Sequence, residues 1–472
     1  MPNWMRGQDT FRIAVALVSL ILLANWVPKF SGSEIGADAH QNLAMAYNLA
    51  VNGTLSLDIS APGQDSAVTP TRYREPLPPA VVAVWIKALE TIRGPFPFAF
   101  VESGPGALVV KSNNILWGVV LCFSVYAALK VLTLSDALAL FGALIAGLLM
   151  RVNLLYTEPV AQALLALFSL LFMLAVSRQS YLHWILAGVC LGALILTKAL
   201  FLYIAFAIAV CFIAVMAYQA VKAQLANRLV IAFVLFSLSF SATLAPWMAR
   251  NYHYFQSTGI TDRGGEVLLA RALENQVTWD EYIGAIFAWA PREMNDAVGW
   301  LLGYSESDLA PGGKLQRLNR ELPGGSKAEL AGTPEATASL YRQSRAQRVK
   351  LIRELTQSGD PHATSNADAR LRSEAARLVI ANPAAHVSMI PLYLWRGAPL
   401  TTVVLCIAGV FAVRQRRYDI LAYMLPTAGM VAFLVLASHF HPRYGEPAMP
   451  ITLVLAMTLA FQWWYGSRAK AV

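Results

Sequence analysis

Long apolar runs alternate with short polar breaks along this chain. Leu, Ile, Val, Phe and Ala dominate about 11–28, 113–132, 136–150, 157–176, 183–197, 199–218, 229–247, 398–413, 419–438 and 447–464. A helix needs roughly 20 residues to cross ~30 Å of hydrocarbon, and these runs approach that length. The pattern predicts an all-α polytopic membrane protein with about ten or more transmembrane helices. Two stretches break the hairpin rhythm, residues 30–110 and 249–397. They divide the chain into a transmembrane module over 1–248 that contains the first loop, a large loop over 249–397, and C-terminal transmembrane helices over 398–472. The first run is followed by Asn25-Trp26-Val27-Pro28-Lys29 rather than an A-x-A-like site, so it reads as a retained helix and not a cleaved signal.

Helical periodicity also appears inside the two loops. Between Gly36 and Gly53, Ala39, Leu43, Ala46, Tyr47 and Ala50 form one apolar stripe, with Asp38, Gln41, Asn42 and Asn48 on the other side. This predicts a short interfacial helix with a carboxylate in its first turn and Gly53 at its end. In the large loop, helices are expected near 337–356 and 367–381, the second with a Leu371, Ala375, Leu378 and Val379 stripe. The Gly- and Pro-rich 310–336 stretch between predicts irregular chain.

Composition agrees with a bilayer-embedded chain. Of 472 residues, 57% are hydrophobic and 14% charged, against about a quarter charged in soluble domains. The net charge of +9 has a topological meaning. If the N-terminus is cytoplasmic, the inside segments hold Arg6, Arg12, Lys130, Arg178, Lys222, Arg228, Arg414, Arg416, Arg417, Arg468 and Lys470. Against these eleven cations stand three acids, Asp9, Asp136 and Asp419, a surplus of +8. Short cytoplasmic loops are enriched in Lys and Arg, so both large loops are expected outside. The basic balance therefore reports orientation in a bilayer and gives no reason to expect nucleic acid as a partner. Cys122, Cys190, Cys211 and Cys406 all fall in apolar runs without metal-ligand spacing and read as small packing residues.

Candidate chemistry gathers at the ends of the apolar runs. Asp38 reads either as a carboxylate favoured by the helix dipole or as a general base at the membrane surface. Glu158, in Tyr156-Thr157-Glu158-Pro159, reads either as a helix-start acid or as an active-site acid, and it could pair with Asp38. Arg72, Arg74, Arg250 and Arg443 each suit phosphate contact, and each also suits snorkelling to headgroups. Lys198 lies between the runs Ala187–Leu196 and Phe201–Val215, where a short turn accounts for it equally well. His439 and His441 form an H-x-H pair near Glu446, a conceivable divalent-metal site, although interfacial histidines are commonly plain surface polarity. No metal ligand set and no cofactor is assigned.

The order of these strings resembles the type C glycosyltransferases of the protein O-mannosyltransferase superfamily, which includes dolichyl-phosphate-mannose protein mannosyltransferases and lipid A aminoarabinose transferases. The resemblance rests on Asp38 to Gly53, then Pro70-Thr71-Arg72-Tyr73-Arg74-Glu75-Pro76-Leu77-Pro78-Pro79, Tyr156-Thr157-Glu158-Pro159 and Leu196-Thr197-Lys198. It continues with Ala245-Pro246-Trp247-Met248-Ala249-Arg250-Asn251-Tyr252, Glu374-Ala375-Ala376-Arg377 with Asn382-Pro383, and His441-Pro442-Arg443-Tyr444. Two departures stand out. Gly36-Ala37 precede Asp38 where the family often doubles the acid, with Glu34 four residues before it, and Glu75 replaces a small or apolar residue.

The resemblance implies the type C fold and transfer of a sugar from a polyprenyl-phosphate donor to an acceptor hydroxyl. Asp38 and Glu158 would be catalytic, and Arg72, Arg74, Lys198, Arg250 and Arg443 would bind the donor phosphate. Asn42, Tyr73 and Tyr444 would contact acceptor or sugar. The implied partners are the lipid-linked donor, a glycan, lipid or protein acceptor, and the bilayer. The implied place is a bacterial inner membrane, N-terminus cytoplasmic and active site periplasmic. Competing readings are a transporter, disfavoured because the spans are nearly free of acids, and a non-catalytic subunit of a glycan assembly system.

Overall fold

The computed structural model describes residues 3–31, 35–59, 68–222, 227–319, 327, 331–333 and 339–469. Glu34, Lys470, much of the 310–336 stretch, and the side chains of Arg6, Asp9 and Arg468 lie outside what is described. Every regular element among the described residues is a helix. Each of the ten apolar runs coincides with one: Asn3–Lys29, Asn114–Thr133, Asp136–Leu149, Thr157–Arg178, Tyr181–Ile195, Phe201–Val221, Asn227–Phe255, Pro399–Arg414, Tyr418–Ala437 and Met449–Ala469. Among the described residues, seven helices are long and apolar enough to cross a membrane. The count becomes eight if the pair Ala363–Ala381 and Pro383–Gly397, bent by 95°, is one broken span. Three of the ten runs make helices of only 14, 15 and 16 residues. At 1.5 Å per residue these are shorter than a hydrocarbon core, which is why they fall outside that count.

The chain divides into two compact units, one of residues 1–260, 403–429 and 446–472, the other of 261–402 and 430–445. In the first unit, Thr157–Arg178 is buried along most of its length. It packs against Asn114–Thr133, Tyr181–Ile195 and Met449–Ala469. The indole of Trp26 donates to Gly147 O at 2.8 Å, tying the first helix to Asp136–Leu149. Tyr181–Ile195 runs close along Asn227–Phe255 because Gly188 and Gly192 remove the side chains between them. A Cβ on Gly188 would meet Ser239 Oγ and sit 2.5 Å from Phe236 O, and one on Gly192 would sit 2.6 Å from Thr243 Cβ. Small residues four apart permit this backbone approach within a membrane.

The first-loop helix spans Ala37–Asn52, and Gly53 ends it at φ 67°, a left-handed conformation that favours glycine. Its apolar stripe faces Val82, Ala83 and Ile86 of the Leu77–Arg93 helix in one core cluster. The expected polar side differs in one respect: Asn42 and Asn48 are buried. Asn42 donates to Leu155 O at 2.9 Å, and Asn48 donates to Ser56 O at 3.0 Å. The helix is therefore enclosed on two sides, because its amides satisfy carbonyls of irregular chain that no helical ladder reaches.

In the second unit, Gly264–Leu273, Leu340–Gln357 and Ala363–Ala381 pack together, the last two close to where periodicity expects them. The Leu371 and Ala375 stripe meets Leu269, Ala272 and Leu273. Arg271 is fully buried beneath this layer. It donates to Val435 O at 3.0 Å, Asn275 Oδ1 at 2.6 Å and His386 O at 2.7 Å, with its guanidinium 4.4 Å from the Tyr393 ring. Burial lowers Arg271 to about 10, partly offset by Glu274, so the group stays charged at neutral pH.

Gly188→Val should destabilise the detergent-solubilised protein by roughly 1–3 kcal/mol, because Phe236 O is backbone and cannot swing away. Thermal unfolding of the purified chain reads this as a lower midpoint. An unchanged midpoint would mean the two helices do not pack as described.

Candidate active site

Asp38 stands in the first turn of the first-loop helix. Its Oδ1 receives Nη2 of Arg74, whose side chain is 7% exposed. Gln41, one turn further along the same helix, accepts from Arg74 Nε at 2.8 Å and Nη2 at 2.6 Å. One guanidinium thus fastens a carboxylate and an amide on the same helical face. An adjacent cation favours the ionised form of a carboxylate. Arg74 therefore orients the acid as well as compensating its charge.

The irregular strap from Pro70 to Pro76 supplies Arg74 and ties four other places together. Thr71 N–H donates to Leu55 O at 2.9 Å, and Leu77 N–H donates to Leu196 O at 3.0 Å. Glu75 accepts from Ala199 N–H at 3.1 Å, adjoining Lys198. The Glu75 departure noted in the sequence is thus a staple between the strap and the turn after Tyr181–Ile195. Arg72 reaches Ser257 O at 3.1 Å and lies 5.1 Å from the Phe255 ring.

Arg250 points at the strap from the long helix Asn227–Phe255. It donates to Thr71 O at 2.9 Å, Asn251 Oδ1 at 2.9 Å and Leu55 O at 3.4 Å. Rings of Trp247, Tyr254 and Phe255 surround its guanidinium at 4.7, 5.1 and 5.4 Å. These hydrogen-bond partners are all neutral oxygens. Arginine has five N–H donors, so three such bonds leave donors for an anion. Phe255 also contacts Arg72, which brings two guanidinium groups to one ring.

Beside Arg250 lies a cavity of about 390 Å³. Leu49, Leu55, Leu77, Leu196, Pro246 and Trp247 form much of its wall, and among the described residues Arg250 is the one charged side chain in the lining. Thr54, Thr243 and Tyr254 add hydroxyls.

Glu158 and Lys198 form a second ion pair, Nζ to Oε1 at 3.0 Å, with side chains 4% and 12% exposed. Glu158 thus has Lys198 as its cationic partner. Short bridges join the two ion pairs: Asn42 to Leu155 O on one side, Glu75 to Ala199 N–H on the other. The first unit therefore gathers Asp38, Asn42, Arg72, Tyr73, Arg74, Glu158, Lys198 and Arg250. Tyr73 contributes its ring 5.7 Å from the Arg74 guanidinium, and Asn42 is buried with its Nδ2 donating to Leu155 O and its Oδ1 without a hydrogen-bond partner among the described residues.

Arg443 and Tyr444 belong to the second unit. There the Arg443 guanidinium lies 5.7 Å from the Tyr444 ring, which also meets the rings of His439 at 5.3 Å and His441 at 6.2 Å. The histidines of the H-x-H pair are thus engaged with aromatic rings. Glu446, in the first unit, pairs with Arg151 at 3.2 Å. Among the described residues no group of three or more His, Cys, Asp or Glu is placed to hold a metal ion.

Sequence reasoning missed Gln41, Asn251 and the structural use of Glu75. Gln41 was legible only as a polar residue three positions after Asp38, and nothing local marks its partner 33 residues away.

No protein-family model matches the chain, and no curated protein matches it. Solved structures with a similar course are chains of the archaeal oligosaccharyltransferase AglB from Archaeoglobus fulgidus. In complex with an inhibitory peptide and a dolichol-phosphate, that protein is 14% identical, with TM-score 0.49, covering 99% of this chain and 52% of its own. The apo form is 12% identical with TM-score 0.49, covering 98% and 52%. The form tethered to an acceptor peptide containing the NVT sequon is 13% identical with TM-score 0.48, covering 97% and 50%. This chain spans about half the length of those solved chains, and at these identities and scores the likeness assigns it no chemistry.

Proposed function

We propose that this chain is a membrane glycosyltransferase that moves a sugar from a polyprenyl-phosphate donor to an acceptor hydroxyl. The observation that carries the reading is the apolar cavity lined by Arg250 and by Pro76, two strap residues from the Arg74 that pairs with Asp38. A long isoprenoid with one phosphate at its end has the same division of character. Its chain suits the Leu- and Pro-lined wall, and its phosphate suits guanidinium donors held by rigid carbonyls. The ordered sequence strings around Asp38, the strap, Glu158, Lys198 and Arg250 support the same class.

In this reading an Asp38 oxygen takes the proton of the acceptor's hydroxyl while the hydroxyl oxygen itself bonds to the sugar's anomeric carbon. The bond from that carbon to the donor phosphate breaks, and the polyprenyl phosphate leaves with the bonding electrons. Arg250 and Arg72 hold the donor phosphate in place, before and after that bond breaks. Arg74 fixes the direction of the Asp38 carboxylate, and Gln41 holds Arg74. Lys198 and Glu158 brace the strap through Ala199. The place is a bacterial inner membrane, with residues 30–110 and 249–397 on the periplasmic side.

Asp38→Asn should cut transfer by about 10²–10⁴-fold in a purified, folded protein, because an amide keeps the size and loses the basic oxygen. Arg250→Ala should mainly raise the donor concentration needed, by one to two decades for a lost contact of roughly 1.5–3 kcal/mol, with kcat recovered at high donor. Transfer assays across donor concentration separate the two. Normal turnover by Asp38→Asn removes Asp38 from the mechanism, and an Arg250→Ala defect that donor cannot rescue removes Arg250 from the phosphate site.

Orientation has its own test in intact cells, with the native cysteines replaced. An impermeant thiol reagent should label a cysteine at Glu306 and spare one at Arg416, both exposed positions. The reverse pattern would invert the topology.

A further inference from the structure

The second unit contains a cavity of about 280 Å³ lined by residues other than those assigned above. Asn275, Thr278, Trp279, Tyr282, Ser388 and Met389 line much of it. Trp279 and Tyr282 lie parallel within 3°, with ring centroids 5.5 Å apart. Parallel rings at that separation are offset-stacked, so Tyr282 backs part of the indole and the pair presents a stepped apolar face. Trp279 is 73% exposed, which leaves a large indole open to ligand.

The platform is held in place from several directions. Thr278 and Glu281 form a capping box at the start of the Trp279–Ala288 helix. Arg317 pairs with Glu281 at 3.1 Å, and the Tyr282 hydroxyl donates to Ser388 O at 3.0 Å. Fixing the rings in advance removes the entropy cost of ordering them on binding.

The polar part of the wall is uncharged and mixed in hydrogen-bond character. Thr278 Oγ1 accepts from Glu281 N–H and keeps its own proton to donate. Ser388 Oγ donates to Ala385 O at 2.9 Å and keeps lone pairs to accept. The Asn275 side-chain amide is 3.0 Å from His386 Nδ1 and has a second N–H. Among the described residues the lining holds no Lys, Arg, Asp or Glu, so none of them offers a phosphate or a carboxylate a counter-charge there. An apolar face beside neutral donors and acceptors fits a ring with an apolar C–H face and hydroxyl edges.

We propose that this cavity binds a neutral saccharide, its ring face stacked on Trp279 and Tyr282 and its hydroxyls meeting Thr278, Ser388 and Asn275. The site requires no catalysis and stands whether or not the transferase reading does. Saturation-transfer NMR on the full chain in detergent tests it with a panel of neutral oligosaccharides of glucose, galactose, mannose and N-acetylglucosamine. At least one should receive saturation on the C–H protons of one ring face. Trp279→Ala should weaken that binding by about tenfold or more, while Trp279→Phe keeps most of it and both variants keep the wild-type melting midpoint. No transfer to any panel sugar, or equal transfer with Trp279→Ala, overturns the proposal. The same variants distinguish a membrane contact. In bilayers with acyl-brominated lipid, the fluorescence lost on Trp279→Phe should be insensitive to bromine, and strong quenching of it would overturn the saccharide assignment.

Discussion

The strap from Pro70 to Pro76 is irregular chain packed among apolar helices, and its polar groups must all find partners away from water. They do so by reaching other elements: Thr71 to Leu55 and Arg250, Arg72 to Ser257, Arg74 to Asp38 and Gln41, and Glu75 to Ala199. An unsatisfied backbone group in such surroundings costs roughly 1–3 kcal/mol, more for a charge. The same bonds that make the strap tolerable therefore hold Asp38, Arg250 and Lys198 at fixed places. Site geometry and local stability are one set of contacts.

This arrangement also explains why an acid and several cations coexist there. Asp38 pairs with Arg74 and Glu158 with Lys198, whereas Arg250 donates to the neutral oxygens of Thr71 and Asn251. The local field therefore retains a positive character beside the apolar cavity. An anion at the end of a lipid chain would complete it, as a transferase with a lipid-phosphate leaving group needs.

Much of this was legible in the sequence because it depends on short-range pattern. The ten apolar runs became helices since continuous hydrophobicity has few other solutions in lipid. Gly36 to Gly53 framed the first-loop helix because only glycine readily adopts the φ of 67° at its end. What stayed hidden depends on pairing across the chain. Arg74 looked like one more phosphate ligand until Asp38 and Gln41 met it, and Asn48 looked solvent-facing until Ser56 needed its amide. The buried Arg271 gave no signal, since an Arg on a loop helix reads as surface until the carbonyls of Val435 and His386 are seen around it. Short helices such as Asp136–Leu149 show a further limit, because apolar content fixes a helix more firmly than it fixes a crossing.

The central claim is that the Arg250 cavity holds a polyprenyl phosphate. Mass spectrometry of lipid extracted from the purified full-length protein addresses it without knowledge of sugar or acceptor. The account predicts polyprenyl phosphate, bare or glycosylated, enriched well above its share in the source membrane, and depleted when Arg250 is replaced by Ala. Recovery of bulk phospholipid alone from the wild-type protein, or equal polyprenyl phosphate from both proteins, would contradict it.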